Sequence, residues 1–199
     1  MFDAKLRPLI DPPLNAAARQ LVKFGVHANM LTLSGAAVGM AAAVAISQQA
    51  FLLALLLIIA NRLLDGLDGP VARLNGPSEF GGYLDILCDF LFYVSVPVAF
   101  GFAGAANTLP ALLLVAAFTL TAVSFLAFAA IAARMGEGDN QHGQKAFIYS
   151  TGIMEGTETI IFFIIMCLFP GYFAALAQLF AALCMVTVLQ RVVMARYRF

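Results

Sequence analysis

Six apolar stretches, each near the length that crosses a bilayer, fill most of the sequence from residue 31 to residue 194. A hydrocarbon core about 30 Å thick takes roughly 20 apolar residues of helix. Inside it every backbone polar group must be satisfied within the segment. The pattern therefore predicts an all-α polytopic membrane protein with six transmembrane helices, over approximately 31–47, 50–65, 82–104, 109–133, 147–169 and 171–194. Polar or Gly/Pro punctuation separates them at Ser47-Gln48-Gln49, Gly104–Pro110, Gly136–Gly143 and Pro170-Gly171. Only 11% of residues are charged, against about 25% in an average soluble domain. The 199 residues suit one membrane domain, with 1–28 as an N-terminal segment and 29–199 as a six-helix bundle.

The basic residues orient the spans. Lys5, Arg7, Arg19 and Lys23 precede span one, Arg62 and Arg73 lie around the junction of spans two and three, and Arg134 and Lys145 flank the fourth loop. Arg191, Arg196 and Arg198 close the chain. Alternate loops hold every positive charge, which predicts both termini in the cytoplasm. After Pro12-Pro13, Leu14, Ala17, Ala18, Leu21 and Val22 repeat at helical spacing with Arg19 and Lys23 interleaved. This reads as a juxtamembrane amphipathic helix on the inner leaflet, or a cytoplasmic helix packed on the spans, or both. The opening MFDAKLRPLIDPPLN has no apolar core before its prolines, so no cleaved signal peptide is expected. Zero net charge implies no bulk attraction to nucleic acid. Cys88, Cys167 and Cys184 lack ligand spacing and read as apolar packing residues.

The chemistry concentrates in residues 61–90, NRLLDGLDGPVARLNGPSEFGGYLDILCDF. Asp65 and Asp68 stand at i,i+3, and Asp85 and Asp89 at i,i+4, so each pair shares a helix face. A short glycine-bearing link, with Gly76 and Gly81-Gly82, makes the two helices neighbours. Each mid-membrane aspartate costs about 2.5–3.5 kcal/mol on insertion scales, so four approach roughly 10 kcal/mol as an upper bound. Arg62 and Arg73 cannot neutralise four charges, whereas one or two divalent cations can. Hard oxygen donors favour Mg²⁺ or Mn²⁺.

This stretch resembles the signature of the CDP-alcohol phosphotransferase (phosphatidyltransferase) family, D-x2-D-G-x2-A-R-x(7 or 8)-G-x3-D-x3-D. Here it reads Asp65, Asp68-Gly69, Ala72-Arg73, Gly81, Asp85 and Asp89, with the seven-residue spacer. The resemblance implies a membrane transferase of phospholipid biosynthesis with two metal ions. Asp65, Asp68 and Asp85 would be metal ligands, and Asp89 a further ligand or the general base. It also implies that Asp65, Asp68, Gly69, Ala72 and Arg73 meet the CDP moiety. Gly69 and Ala72 lack bulk and let a nucleotide approach the helix, and Arg73 can pair with phosphate or with a motif carboxylate. Pro70 should kink or loosen the helix, either opening space for the nucleotide or simply being tolerated.

Further features surround the motif. His27-Ala28-Asn29-Met30-Leu31-Thr32 resembles the family's Pro-Asn-x-Leu-Thr stretch, with Ala28 in place of proline. Asn29 and Thr32 are expected to cap the first span, the alternative being a polar contact to the nucleotide. His27 alone is not evidence for a metal or a base, and His142 lies in a polar loop. Gly35 and Gly39 form a small-xxx-small pair for close packing, within the bundle or at a homodimer interface. In span five, Thr151, Glu155 and Glu158 follow i, i+4, i+7 and are expected on one face, with Glu158 roughly 18 Å from Ala146 along the helix. With Lys145 at the cytoplasmic end, these four are the candidate acceptor site.

The leading expectation is transfer of a phosphatidyl group from CDP-diacylglycerol to an acceptor alcohol with release of CMP. The motif is shared with CDP-choline and CDP-ethanolamine transferases acting on diacylglycerol, although six spans and small size resemble the CDP-diacylglycerol branch more closely. A different class, an intramembrane cation transporter, also places acidic groups in apolar helices. Against it stand the lack of an obvious repeat of interrupted helices and an Ala72-Arg73 element with no transport rationale. Motif and composition leave the acceptor open: basic Lys145 and Arg134 would suit a sugar or polyol phosphate, Glu155 and Glu158 a polyol or amine.

Overall fold

The computed structural model describes residues 3–137 and 152–199. Among these, all regular structure is helical: α1 (Asp3–Lys23), α2 (Ala28–Ser47), α3 (Phe51–Asn75), α4 (Glu79–Ala103), α5 (Thr108–Ala132), α6 (Gly156–Leu168) and α7 (Phe173–Arg198). Four segments are long and apolar enough to cross a membrane: Ala28–Ser47, Glu79–Ala103, Ala105–Met135 and Pro170–Arg198. The helices of the other two expected spans differ for separate reasons. α3 is 25 residues long, but its C-terminal half carries Arg62, Asp65, Asp68 and Arg73. α6 has only 13 residues, because the chain from Gly152 to Glu155 is not helical.

The expected breaks at Ser47-Gln48-Gln49 and Pro170-Gly171 are present. Gln49 adopts a positive φ of 61°, and its side-chain amide donates to the Ala103 carbonyl at 2.8 Å, tying the α2–α3 turn to the end of α4. Helix α1 departs from expectation, for it runs through Pro12 and Pro13 without a break. Both prolines are exposed, so the amides missing from the ladder weaken it on the open side. Pro70 likewise lies inside a continuous helix, buried, and α3 ends five residues later at Asn75, before Gly76, whose φ of 93° favours glycine.

The core is aromatic. Phe92, Phe100, Phe163, Phe173 and Phe180 are fully buried. The Phe100 ring stacks on Phe173 at 4.4 Å, and Phe180 stacks on Phe162 at 4.4 Å and meets Phe118 edge-on at 5.0 Å. The exterior is apolar too: Leu52 is 73% and Phe102 80% exposed, a surface suited to lipid rather than water. Gly35 and Gly39 both face into the bundle. A Cβ on Gly35 would meet Leu64 at 3.6 Å, and one on Gly39 would lie 2.8 Å from the Phe92 ring. Their small size is what lets α2 lie close against both α3 and α4. At the other end of α3, α1 packs buried Ala18 with Leu21 and Val22 against Leu31 and Val71. Leu14 of α1 lies over Gly66, beside the first aspartate.

Candidate active site

Helices α3 and α4 both pack against α2 and are joined to each other by three residues, and the aspartate pairs sit on either side of that link. Ser78 caps α4 by accepting from the Gly81 amide at 3.0 Å, which fixes where the helix carrying Asp85 and Asp89 begins. The two faces converge as the spacing predicted. One carboxylate oxygen from each of Asp65, Asp68 and Asp85 lies within 4.8 Å of the others. At an effective dielectric constant of about 20, two charges at that separation repel by roughly 3.5 kcal/mol, so three pairs approach ~10 kcal/mol. A bound cation would relieve that repulsion.

The donor set fits a hard divalent ion. Three carboxylate oxygens gathered this closely are all hard donors of the kind that Mg²⁺ and Mn²⁺ prefer. Asp68 is the most buried of the three, at 8% exposure. Its Oδ2 accepts from the Thr32 hydroxyl at 2.7 Å, whereas the Ala28 carbonyl is 3.2 Å from the same hydroxyl. One hydroxyl carries one proton, and the shorter, charged acceptor takes it. Thr32 therefore does not cap α2. The N-cap is His27, which makes no side-chain capping bond. Capping fails here because Thr32 lies beyond the first turn of α2, turned toward the α3 carboxylate.

Asp89 stands outside the triad. Its Oδ1 accepts from both terminal nitrogens of Arg62 at 3.2 Å, while Arg62 Nη1 also donates to Asp65 at 3.3 Å. Arg62 Nε donates to Asn61 Oδ1 at 2.7 Å, and Asn61 Nδ2 donates to the Gly35 carbonyl at 2.8 Å. The guanidinium lies over the Phe92 ring at 4.7 Å, a cation–π contact that further holds it. Arg62 and Asn61 are the site residues that sequence reasoning missed. Arg62 was weighed only as a counter-ion too few, yet its i,i+3 spacing to Asp65 was a readable signal.

Beside Asp68 and Asp85 opens a cavity of about 470 Å³. Asn29, Thr32, Asp68, Gly69 and Ala72, five of the residues expected to meet a nucleotide, line it, as do His27 and Ser78. Asp65 faces the triad instead, and Arg73 lies over Gly69, its Nη1 3.5 Å from where a Cβ would stand. Gly82 of α4 also lines the cavity and faces open space.

The acceptor candidates are placed differently from expectation. Lys145 and Thr151 lie outside the described residues. Glu155 and Glu158 do not share a face of one long helix: Glu155 is the N-cap of α6, with extended backbone, and Glu158 sits in its first turn. Glu155 accepts from the Gly152 amide at 3.0 Å and from the Glu158 amide, and Glu158 reaches back to the Glu155 amide at 3.3 Å. This reciprocal capping box satisfies amides that a continuous helix would have bonded itself. Ala146, from which the position of Glu158 along the span is counted, lies outside the described residues. Arg191, one of the three basic residues that close the chain, is buried in α7 and donates to the Thr121 carbonyl at 2.9 Å and to Ser124 Oγ at 3.2 Å.

Among the described residues the fold is all-helical, with apolar helices long enough to cross a membrane and a carboxylate triad that could hold a metal ion beside a cavity. The sequence profile described as CDP-alcohol phosphatidyltransferase matches residues 25–195, and the chain belongs to that family of enzymes. It is 46% identical over 195 residues to the inner membrane protein YnjF of Escherichia coli, covering 96% of this chain and 94% of that protein. It is 34% identical over 94 residues to the archaetidylinositol phosphate synthase of Pyrococcus horikoshii, covering 47% of this chain and 50% of that protein. Among solved structures, the Mycobacterium tuberculosis phosphatidylinositol phosphate synthase PgsA1 superposes with a TM-score of 0.66 at 22% identity. The match covers 91% of this chain and 92% of PgsA1 in its form with CDP-DAG bound. The form in complex with manganese and citrate gives the same score. At that identity the likeness is one of fold.

Proposed function

We propose that the protein transfers a phosphatidyl group from CDP-diacylglycerol to an acceptor alcohol and releases CMP. The observation that carries this is the convergence of Asp65, Asp68 and Asp85 within 4.8 Å at the edge of a cavity of about 470 Å³. Asp65, Asp68 and Asp85 would hold Mg²⁺ or Mn²⁺, which when bound neutralises pyrophosphate charge and steadies the leaving CMP. Thr32 keeps Asp68 turned toward the triad. Asn29, Gly69 and Ala72 receive the nucleotide, where the small Gly69 and Ala72 leave room for it against α3, and Arg73 stands over Gly69 to meet phosphate. The acceptor oxygen attacks the β-phosphorus, the bond from that phosphorus to the CMP oxygen breaks, and Asp89 takes the acceptor's proton.

The acceptor side is assigned to the start of α6, where the capping bonds fix Glu155 and Glu158, together with Thr151 and Lys145. Packing of α6 against α3 supports it. In the membrane we place six crossings, with α3 and α6 completing the four longer spans, α1 on the inner leaflet, and both termini and the site facing the cytoplasm. The alternation of basic loops supports this orientation, and a bacterial chain of this kind would lie in the inner membrane. The test is an exchange assay on purified protein with labelled CDP-diacylglycerol or CDP-choline and a panel of acceptor alcohols. CMP release from CDP-diacylglycerol with one favoured acceptor is expected. Release from CDP-choline alone would transfer the protein to the other branch, and release from neither would reject the reading.

A further inference from the structure

Four carboxylates invite two divalent ions, but this site already contains a cation of its own. Arg62 contacts Asp65 at 3.3 Å and Asp89 at 3.2 Å, the two carboxylates farthest from the Thr32 anchor along their helices. It is not a mobile surface arginine. Asn61 is 2% exposed, and its amide orientation is set by donation to the Gly35 carbonyl, which turns Oδ1 toward Arg62 Nε. Fully buried Phe92 closes one face of the guanidinium. Gly35 and Gly39 allow α2 to press on Asn61 from behind, with Asn61 Nδ2 3.1 Å from where a Gly39 Cβ would be. Arg62 is thus held by Asn61 and by the Phe92 ring, with its guanidinium nitrogens reaching the aspartates.

We infer that Arg62 is a built-in counter-cation that takes the place of a second metal ion between Asp65 and Asp89, so that the protein binds a single divalent ion through Asp65, Asp68 and Asp85. The inference rests on the transferase reading of the triad and specifies its metal content. A second ion shared by Asp65 and Asp89 would compete for carboxylate oxygens that the guanidinium already contacts. Arg62 and one divalent ion bring the four carboxylates within a single charge of neutrality. A second ion would have to expel the guanidinium and strand it among apolar helices, where an unpaired charge is costly. Arg62 is thus a positioning residue for Asp89, holding by a two-pronged hydrogen bond a carboxylate that a metal would otherwise hold.

The experiment counts Mn²⁺ bound to purified protein by electron paramagnetic resonance and equilibrium dialysis, in wild type, Arg62→Gln and Arg62→Lys. One ion per chain is expected in wild type and in Arg62→Lys, which keeps the charge. Arg62→Gln should bind two, the second at least about tenfold tighter than any second ion in wild type, with the spectrum of a spin-coupled pair. Two tight ions in wild type would overturn the inference and leave the transferase reading intact. No ion in wild type would reject the metal reading itself, a distinguishable failure. A folded Arg62→Gln that still binds one ion would overturn the inference; if that variant does not fold, the wild-type count decides.

Discussion

Thr32→Val removes one hydroxyl, nearly at constant volume, from a residue only 7% exposed. That hydroxyl donates at 2.7 Å to Asp68 Oδ2, the most buried ligand of the proposed metal. A hydrogen bond to a charged group is worth about 1.5–3 kcal/mol, more than a neutral one. Without it the Asp68 carboxylate is free to rotate away from Asp65 and Asp85, and the cation must supply the ordering. Partners that orient a metal ligand typically govern about 10- to 100-fold in metal affinity, and the hydrogen-bond figure converts to much the same range. Mn²⁺ affinity, measured by calorimetry on the purified protein, should therefore fall by about 10- to 100-fold in Thr32→Val. Thr32→Ser, which keeps the donor, should stay within a few-fold of wild type. The reasoning is refuted if Val binds Mn²⁺ as tightly as wild type, or if Ser is as impaired as Val.

Gly39→Ala puts a Cβ 2.8 Å from the Phe92 ring; overpacking of this kind costs about 1–3 kcal/mol, seen as a melting temperature several degrees lower. Gly82→Ala, which meets nothing within 4 Å, should not lower it, because alanine is the better helix former by up to ~1 kcal/mol. Glu158→Gln keeps a competent capping-box residue but removes the charge, so the apparent KM for acceptor should rise more than that for donor. An unchanged KM with a lowered melting temperature would confine Glu158 to the helix cap. A cysteine at Asn75, an exposed residue at the end of α3, should react with an impermeant maleimide only from the cytoplasmic side, and labelling from the opposite face would invert the proposed topology.

What the sequence revealed follows from how local each signal is. The aspartate spacings needed only helical periodicity and a short link, and three of the four carboxylates meet as that geometry requires. The turns at Gln48-Gln49 and Pro170-Gly171 were equally local. Arg62 behaved otherwise because its role depends on Phe92 and Asp89 of α4 and on an Asn61 side chain oriented by α2. Thr32 resembled a capping residue in the chain, and only the approach of α3 made it the partner of Asp68. The run from Thr151 to Glu158 matched helical spacing, but Glu155 and Glu158 bond each other's backbone, and that local capping starts the helix at Gly156. Pro12 and Pro13 predicted a break that α1 does not make, since both lie on its exposed side.

The central claim is most directly tested by CMP release from CDP-diacylglycerol and an acceptor alcohol, using purified protein with and without Mn²⁺, beside Asp68→Asn and Asp85→Asn. An amide is a poor ligand for a hard cation. The account predicts release that requires the divalent ion, stops in excess EDTA, and falls by more than about tenfold, or ~1.4 kcal/mol, in each folded variant. Full CMP release in EDTA, or variants that turn over at the wild-type rate, would contradict it.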